Sequence, residues 1–315
     1  MPARKRPLRG SRAFYPRKRA KRIYPGVKNA GKTKEVKPLA FAGYKAGMSH
    51  AILTETNPNS QLYGKEVSKA FTVLECPPLS VFGFRCYSLS EENNKKISIC
   101  DVFAEKLSKN LARATKLPKN LGLGALEKIQ GKNITDVSLL CHTNPTFKKT
   151  PEIFEIPLGG EDVNQKLEYA KQILGKEIKI QDVFKEGDYV DVSAVTKGKG
   201  FEGPVKRFGI VVLGRKFQQM HRHVGSLGPA EPGKIRPTVP AAGQHGFQTR
   251  TEFNKRILKI QTGFDAQFVN YGPVKSEAVL LEGSVPGSKK RLVMLRMPIR
   301  PPKTKYPVQI KEIVR

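Results

Sequence analysis

Short apolar runs bounded by glycine turns or polar stretches recur along this chain and read as strands, 188–196 alternating most clearly, and only two stretches show helical spacing. Residues 39–48 and 51–54 read as strands with glycine turns, 69–75 as another, and 81–87 continue the β pattern. Residues 101–113 carry helical spacing and run into a Gly/Lys-rich loop, after which 136–142 resume strand character. A cleaner helix follows. Asp162 stands at a capping position, Gln165 completes a capping-box spacing, and Gly175 falls where a left-handed C-terminal residue belongs. Val163, Leu167, Ala170 and Leu174 form its apolar stripe. Residues 188–196 predict a strand with Val190, Val192 and Ala194 on its apolar face, and 256–260, 278–281 and 291–295 are three further short β-like runs.

Two stretches stand outside this pattern. Residues 1–37 scatter a few apolar side chains without period, so they cannot form a core and are expected to be extended and disordered until bound. Residues 197–256 hold many Gly and Pro with little periodicity, and the span is too long for an ordinary loop. It is either disordered or shaped by a partner. The organisation that results is a basic arm (1–37) and a β-rich body (38–288) with a helical insertion at about 88–175 and an internal extension at about 197–256, then a basic C-terminal segment (289–315).

Charge explains why these stretches lack an interior. The 315 residues carry a formal net charge of +30, from 57 Lys and Arg against 27 Asp and Glu. Residues 1–37 contribute 14 cations and one acid, 195–260 contribute 13 and three, and 289–315 contribute nine and one, which leaves the remainder near neutrality. Self-repulsion of this size penalises compactness unless a polyanion supplies counter-charge, and nucleic acid is the default polyanion. A basic arm also addresses nuclei and anionic membranes, but this one offers no apolar face. No apolar run is long enough to span a bilayer and no signal-peptide segment is evident, so a cytosolic setting is expected. In that setting Cys76, Cys86, Cys100 and Cys141, too widely spaced for paired zinc ligands, read as small core residues.

Several motifs invite chemistry. Gly26-Val-Lys-Asn-Ala-Gly-Lys-Thr33 fits the phosphate-loop pattern letter for letter, but a basic run and Pro25 precede it and Pro38 follows. The strand and helix that the nucleotide-binding mechanism requires have no room. Lys28, Lys32 and Lys34 are better read as neutralising RNA phosphates. Lys197-Gly-Lys-Gly-Phe-Glu-Gly-Pro-Val-Lys-Arg207 follows a credible strand, and its glycines remove side chains that would hold a phosphate away from backbone amides. Lys197, Lys199, Lys206 and Arg207 add charge-assisted contacts; the bland alternative is a mobile surface turn. His221-Arg-His223 and His245 are too sparsely accompanied by carboxylates for a metal site. Glu202, Glu231 and Glu252 stand isolated in sequence, so a magnesium-dependent nuclease has no acidic cluster to use. Residues 242–257 mix Gln, Asn, His, Arg and Phe, side chains that stack on or hydrogen-bond to bases, sugars and phosphates. No catalytic constellation and no cofactor motif emerges. Two other classes stay open: an RNA-modifying enzyme with an imported cofactor, and a DNA-compacting basic protein.

Pro-Arg-Lys-Arg-Ala-Lys-Arg (16–22), Gly-Tyr-Lys-Ala-Gly-Met (43–48), Pro-Leu-Gly-Gly (157–160), residues 195–209, Gly-Ser-Leu-Gly-Pro (225–229), residues 242–257, Gly-Ser-Val-Pro-Gly (283–287) and Lys-Lys-Arg-Leu-Val (289–293) occur in this order. Together they resemble the ribosomal protein L3 (uL3) family in its archaeal or eukaryotic-like form. The match spans nearly the whole chain and is weakest over 88–135. The resemblance implies a six-stranded β-barrel of the translation-protein type, mainly β with an α-helical insertion, a long N-terminal arm and an internal RNA-penetrating extension. It implies a non-enzymatic, monomeric constituent of the large ribosomal subunit, without cofactor, that binds 23S-type rRNA near its 3′ end. Such a protein nucleates assembly, extends toward the peptidyl transferase centre and lies beside ribosomal proteins L14 and L24e.

The rRNA contacts expected on these grounds fall in four groups. The arm supplies Arg17, Lys18, Arg19, Lys21, Arg22, Lys28 and Lys32, and the body supplies Lys45. The extension supplies Lys197, Gly198, Lys199, Gly200, Lys206, Arg207, Arg215, Lys216, His221, Arg222, His223, Lys234 and Arg236, followed by Gln244, His245, Arg250, Asn254, Lys255 and Arg256. The C-terminal segment supplies Lys289, Lys290 and Arg291. One departure stands out: the family usually has Trp at the positions of Phe208, Ala230 and Pro237, and this chain has no Trp. Residues 230–237 therefore cannot offer the same large stacking surface.

Overall fold

The apolar runs are realised mainly as strands. The computed structural model describes residues 9–314 except 28, 32, 91, 93, 94, 119, 120, 123, 125–132 and 232. In chain order the strands are β1 (Ala40–Thr54), β2 (Glu66–Cys76), β3 (Leu79–Leu89), β4 (Lys96–Phe103), β5 (Asp136–Thr143), β6 (Ile153–Pro157), β7 (Glu177–Ile178), β8 (Tyr189–Val195), β9 (Gly198–Glu202), β10 (Gly243–Gly246), β11 (Thr249–Phe268), β12 (Gly272–Glu282), β13 (Leu292–Arg296) and β14 (Gln309–Val314). Two α-helices join them, α1 (Val163–Ile173) and α2 (Pro204–Phe208). The chain divides into two compact units, one of residues 24–194 and 251–315, the other of 1–23 and 195–250.

The first unit is a mainly-β body built on two sheets. The larger sheet runs β13-β8-β11-β12-β2-β1-β14, and β13 also pairs with β1. Strand β1 makes this possible because it is long enough to serve two partners along one edge: Ala40–Tyr44 pair with β13 and His50–Thr54 with β14, all antiparallel. Its other edge pairs with β2, with a register shift between Lys45 and Gly47. The second sheet runs β4-β3-β5-β6, with β7 on β3. Phe41, Leu74, Phe84, Leu139, Ile156, Val192 and Leu295 belong to one core cluster that draws on both sheets, and a smaller cluster around Phe71, Val73 and Leu280 occupies the other side of the larger sheet.

The sequence pattern holds in outline and fails in identifiable places. What reads as two strands separated by a turn is the single strand β1; the runs at 256–260 and 278–281 belong to the longer strands β11 (20 residues) and β12 (11 residues), while 291–295 matches β13 to within one residue. The helix expected over 101–113 is absent: β4 ends at Phe103, and Lys109–Arg113 form a 3-10 helix. Among the described residues of 88–175, one α-helix, α1, therefore accompanies β4, β5 and β6. Helix α1 begins after Asp162 as expected, but the Asp162 side chain makes no capping bond, while Gly175 does take the left-handed conformation at φ +78°. Ala170 is buried, with Val163, Leu167 and Leu174 half-buried against the core. Both faces of β8 are covered, so Asp191 is as buried as Val190 and Val192. A fully buried carboxylate needs partners, and Asp191 accepts from the backbone N–H groups of Asn254 (3.1 Å) and Ile299 (3.2 Å) and from Arg296 (3.3 Å). Cys76, Cys86 and Cys141 are buried and Cys100 half-buried, none of them in a disulfide, in keeping with their reading as core residues; burial pushes the Cys86 thiol up to about 11.

Candidate nucleic-acid interface

Residues 196–202 and 243–248 pair as a narrow ribbon. Thr196 N–H donates to the Gln248 carbonyl (3.0 Å), Gln248 N–H to the Thr196 hydroxyl (3.2 Å), and Phe247 N–H to the Lys197 carbonyl (3.1 Å). Strands β9 and β10 extend this stem, pairing Glu202 with Gly243, Phe201 with Gln244 and Gly198 with Gly246, with a register shift before Gly246. Gly246 is buried there at φ +68°, and a Cβ on it would run into the Lys197 carbonyl, so only glycine fits. Pro204 starts α2, and Gly209 ends it in the left-handed conformation, donating to the Val205 carbonyl (2.8 Å).

From 209 to 242 the described residues hold neither strand nor helix, and from 205 to 245 none of them is buried. Val211, Phe217, Met220 and Ile235 are each more than half exposed. The extension has no interior, which is what its composition implied.

On this scaffold the expected contact residues separate into two kinds. Lys197, Lys199, Lys206, Arg215, Lys216, Arg222, His223, Lys234 and Arg236 are exposed, with His221 half-buried, and Gly198 and Gly200 lie exposed on β9. Arg207 instead turns inward. It donates to the carbonyls of Gln244 (3.0 Å), Ala241 (2.9 Å) and Arg17 (3.3 Å), which ties α2, β10 and the arm together. Burial, with the Arg17 charge adding to it, lowers the Arg207 pKa from its ordinary value.

Arg17 is likewise committed, its guanidinium 4.4 Å from the Phe208 ring centroid and 5.3 Å from that of Tyr15, whose rings stack at 6.3 Å. Arg19 lies over Phe247 at 5.3 Å, and Arg250 over Phe14 at 4.3 Å while bonding the Gln248 side chain at 2.8 Å. Lys18, Lys21 and Arg22 are exposed. Sequence reading missed this cation–aromatic packing; the interleaving of Phe14 and Tyr15 with Arg17 and Arg19 was the available signal.

Glu202 is not isolated: its carboxylate bonds His245 Nδ1, and that hydrogen bond outweighs burial and holds Glu202 below its usual carboxylate value. Glu252 pairs with Lys255 at 2.8 Å. The Gln244 side chain donates to the carbonyls of His245 (3.2 Å) and Gly246 (3.1 Å). The remaining expected contacts lie in the body unit. Asn254 donates to the Arg300 carbonyl (2.9 Å), the buried Arg256 to that of Tyr306, Lys45 to that of Val285 (2.6 Å) and Lys289 to that of Val269 (2.7 Å). Lys290 is exposed, and burial lowers the pKa of Arg291. Lys28 and Lys32 lie outside the described residues. Among the described residues no three His, Cys, Asp or Glu side chains gather to hold a metal ion, and no helix is long and apolar enough to cross a membrane.

A β-rich body joined to a cationic extension without an interior is the build of a structural nucleic-acid-binding protein. The family model for ribosomal protein L3 matches residues 1–313, and the chain belongs to that family. It is 45% identical to the large ribosomal subunit protein uL3 of Pyrobaculum aerophilum over 98% of this chain and 96% of that one. With the uL3 proteins of Methanocaldococcus jannaschii and Nanoarchaeum equitans it shares 46% identity, over 94% and 96% of this chain and 92% and 94% of theirs.

Proposed function

We propose that this chain is a non-enzymatic constituent of the large ribosomal subunit in the cytoplasm, anchored to 23S-type rRNA by the arm, the extension and the C-terminal segment. The observation that carries this reading is the row of exposed cations on an extension with no buried residue described between 205 and 245. Such a segment gains its shape from a polyanion, because it cannot bury enough apolar surface alone. In the fuller reading the chain is a monomer that binds near the 3′ end of the rRNA, nucleates assembly beside L14 and L24e, and sends residues 197–256 toward the peptidyl transferase centre. The body strands β13, β8, β11, β12, β2 and β1 form a closed six-stranded barrel, a reading supported by the β13–β1 pairing that joins the two ends of that run. Phe208, at a position where the family usually has Trp, is engaged by Tyr15 and Arg17, while Ala230 and Pro237 are exposed and small. Anchoring therefore rests on charge and glycine rather than on a large aromatic tip.

Replacing Lys197, Lys199 and Lys206 together by Ala tests this. Affinity for rRNA falls, and the slope of log affinity against log salt flattens by about 0.7–0.9 for each phosphate that is no longer neutralised. Unchanged affinity and slope would remove the assignment. Co-sedimentation of the unaltered chain with large subunits through a high-salt wash separates an integral component from a loose binder.

A further inference from the structure

Beside the cations, the ribbon presents an aromatic ring with no stacking partner among the described residues. Phe201 in β9 is 80% exposed, more than any other large apolar side chain described, and none of the described aromatic or cationic groups stacks on it. Gly200 before it and Gly203 two residues after it carry no side chain, and a Cβ on either would meet nothing within 4 Å, so the ribbon is uncrowded at these positions. A cavity of about 290 Å³ lies against it, lined by Phe201, Glu202, Gly203, Val205, Lys206 and Arg222. Two cations, Lys206 and Arg222, outnumber the one carboxylate in this lining, Glu202, which bonds His245.

We infer that this cavity is a subsite for one unpaired RNA nucleotide, its base stacked on Phe201 and its phosphate held by Lys206 and Arg222. The inference rests on the rRNA-binding reading and adds a position where the contact is to a base. Every base has a π-face, so an exposed ring accepts any of the four, whereas a base within a duplex already has both faces covered by its neighbours. The volume sits at the small end of ligand pockets, with room for a single nucleotide rather than a helix.

The test uses the full chain, with a short mixed-sequence single-stranded RNA and the blunt duplex of the same sequence as probes. Phe201→Ala removes no core contact; it weakens binding of the single strand by about 5- to 150-fold and leaves duplex binding and the salt slope unchanged. Phe201→Trp introduces the only tryptophan in the chain, and its emission is quenched on saturation by the single strand but not by the duplex. Undiminished single-strand affinity in Phe201→Ala, unquenched emission at saturation, or equal quenching by the duplex each overturns the subsite while leaving phosphate anchoring intact. Should the unaltered chain bind neither probe, the rRNA-binding reading falls and the subsite with it.

Discussion

Asp136 shows how single side chains are set against their sequence appearance. It opens β5 and sits between Lys96 of β4 (2.5 Å) and Lys166 of α1 (3.0 Å). Lys166 lies off the apolar stripe of α1 and would be expected in solvent, yet it is only 9% exposed because its ammonium reaches this carboxylate. Burial works to raise the Asp136 pKa, and the two lysine hydrogen bonds prevail, holding it below the ordinary value. A carboxyl with a depressed folded-state pKa adds stability that is present above its unfolded pKa of about 3.9 and lost as pH falls through the lower folded value. Asp136→Asn is therefore expected to cost about 1–3 kcal/mol in urea unfolding at neutral pH. The gap to the unaltered chain should close as the pH drops below the carboxylate range; a gap independent of pH would show that the charge is immaterial.

Among elements, the β9–β10 ribbon depends on a residue that sequence places with the phosphate contacts. Arg207 bonds carbonyls 34 and 37 residues away, at Ala241 and Gln244, whereas Lys206 beside it is exposed. Arg207→Ala is expected to speed amide hydrogen exchange across β10 by about tenfold, the worth of roughly one such bond, and Lys206→Ala to leave it unchanged. Equal protection in both variants would make Arg207 one more solvated cation. Clustering of cations was legible in the sequence; which guanidinium turns inward was not, because its acceptors are brought near only by the return of the ribbon. The same distinction separates β2, β3, β5 and β8, whose own apolar runs announced them, from the elements that were misread or missed. Phe103, Leu107 and Leu111 recur every four residues and do converge on one small cluster, with Phe82 and Leu140. They reach it from a strand end, the irregular segment after it and a 3-10 turn rather than from a helix, since Phe103 pairs with Gly83 of β3. Strand β14 was missed because Gln309, Lys311 and Glu312 dilute its apolar pattern; it is fixed by the edge of β1 that it completes.

For the whole molecule, stability and anchoring are drawn from different parts of the chain. Among the described residues, no core cluster takes a residue from 195–250, while that segment and the arm hold most of the excess charge. Gly198 and Gly246 face each other in the ribbon, so residues 199–245 can be replaced by an Asn-Gly turn that suits a two-residue hairpin. The replacement removes eight cations and two acids and leaves the clusters untouched. Because it also relieves self-repulsion, the shortened chain is expected to unfold cooperatively at a midpoint no lower than that of the full chain. Its rRNA affinity should fall, and its salt slope should flatten by up to about 6 to 7 if every deleted cation neutralised a phosphate. Loss of cooperative unfolding would show that the body needs the extension to fold. A folded body with an unaltered slope would place the anchoring in the arm and the C-terminal segment, because those are the strongly cationic stretches that remain.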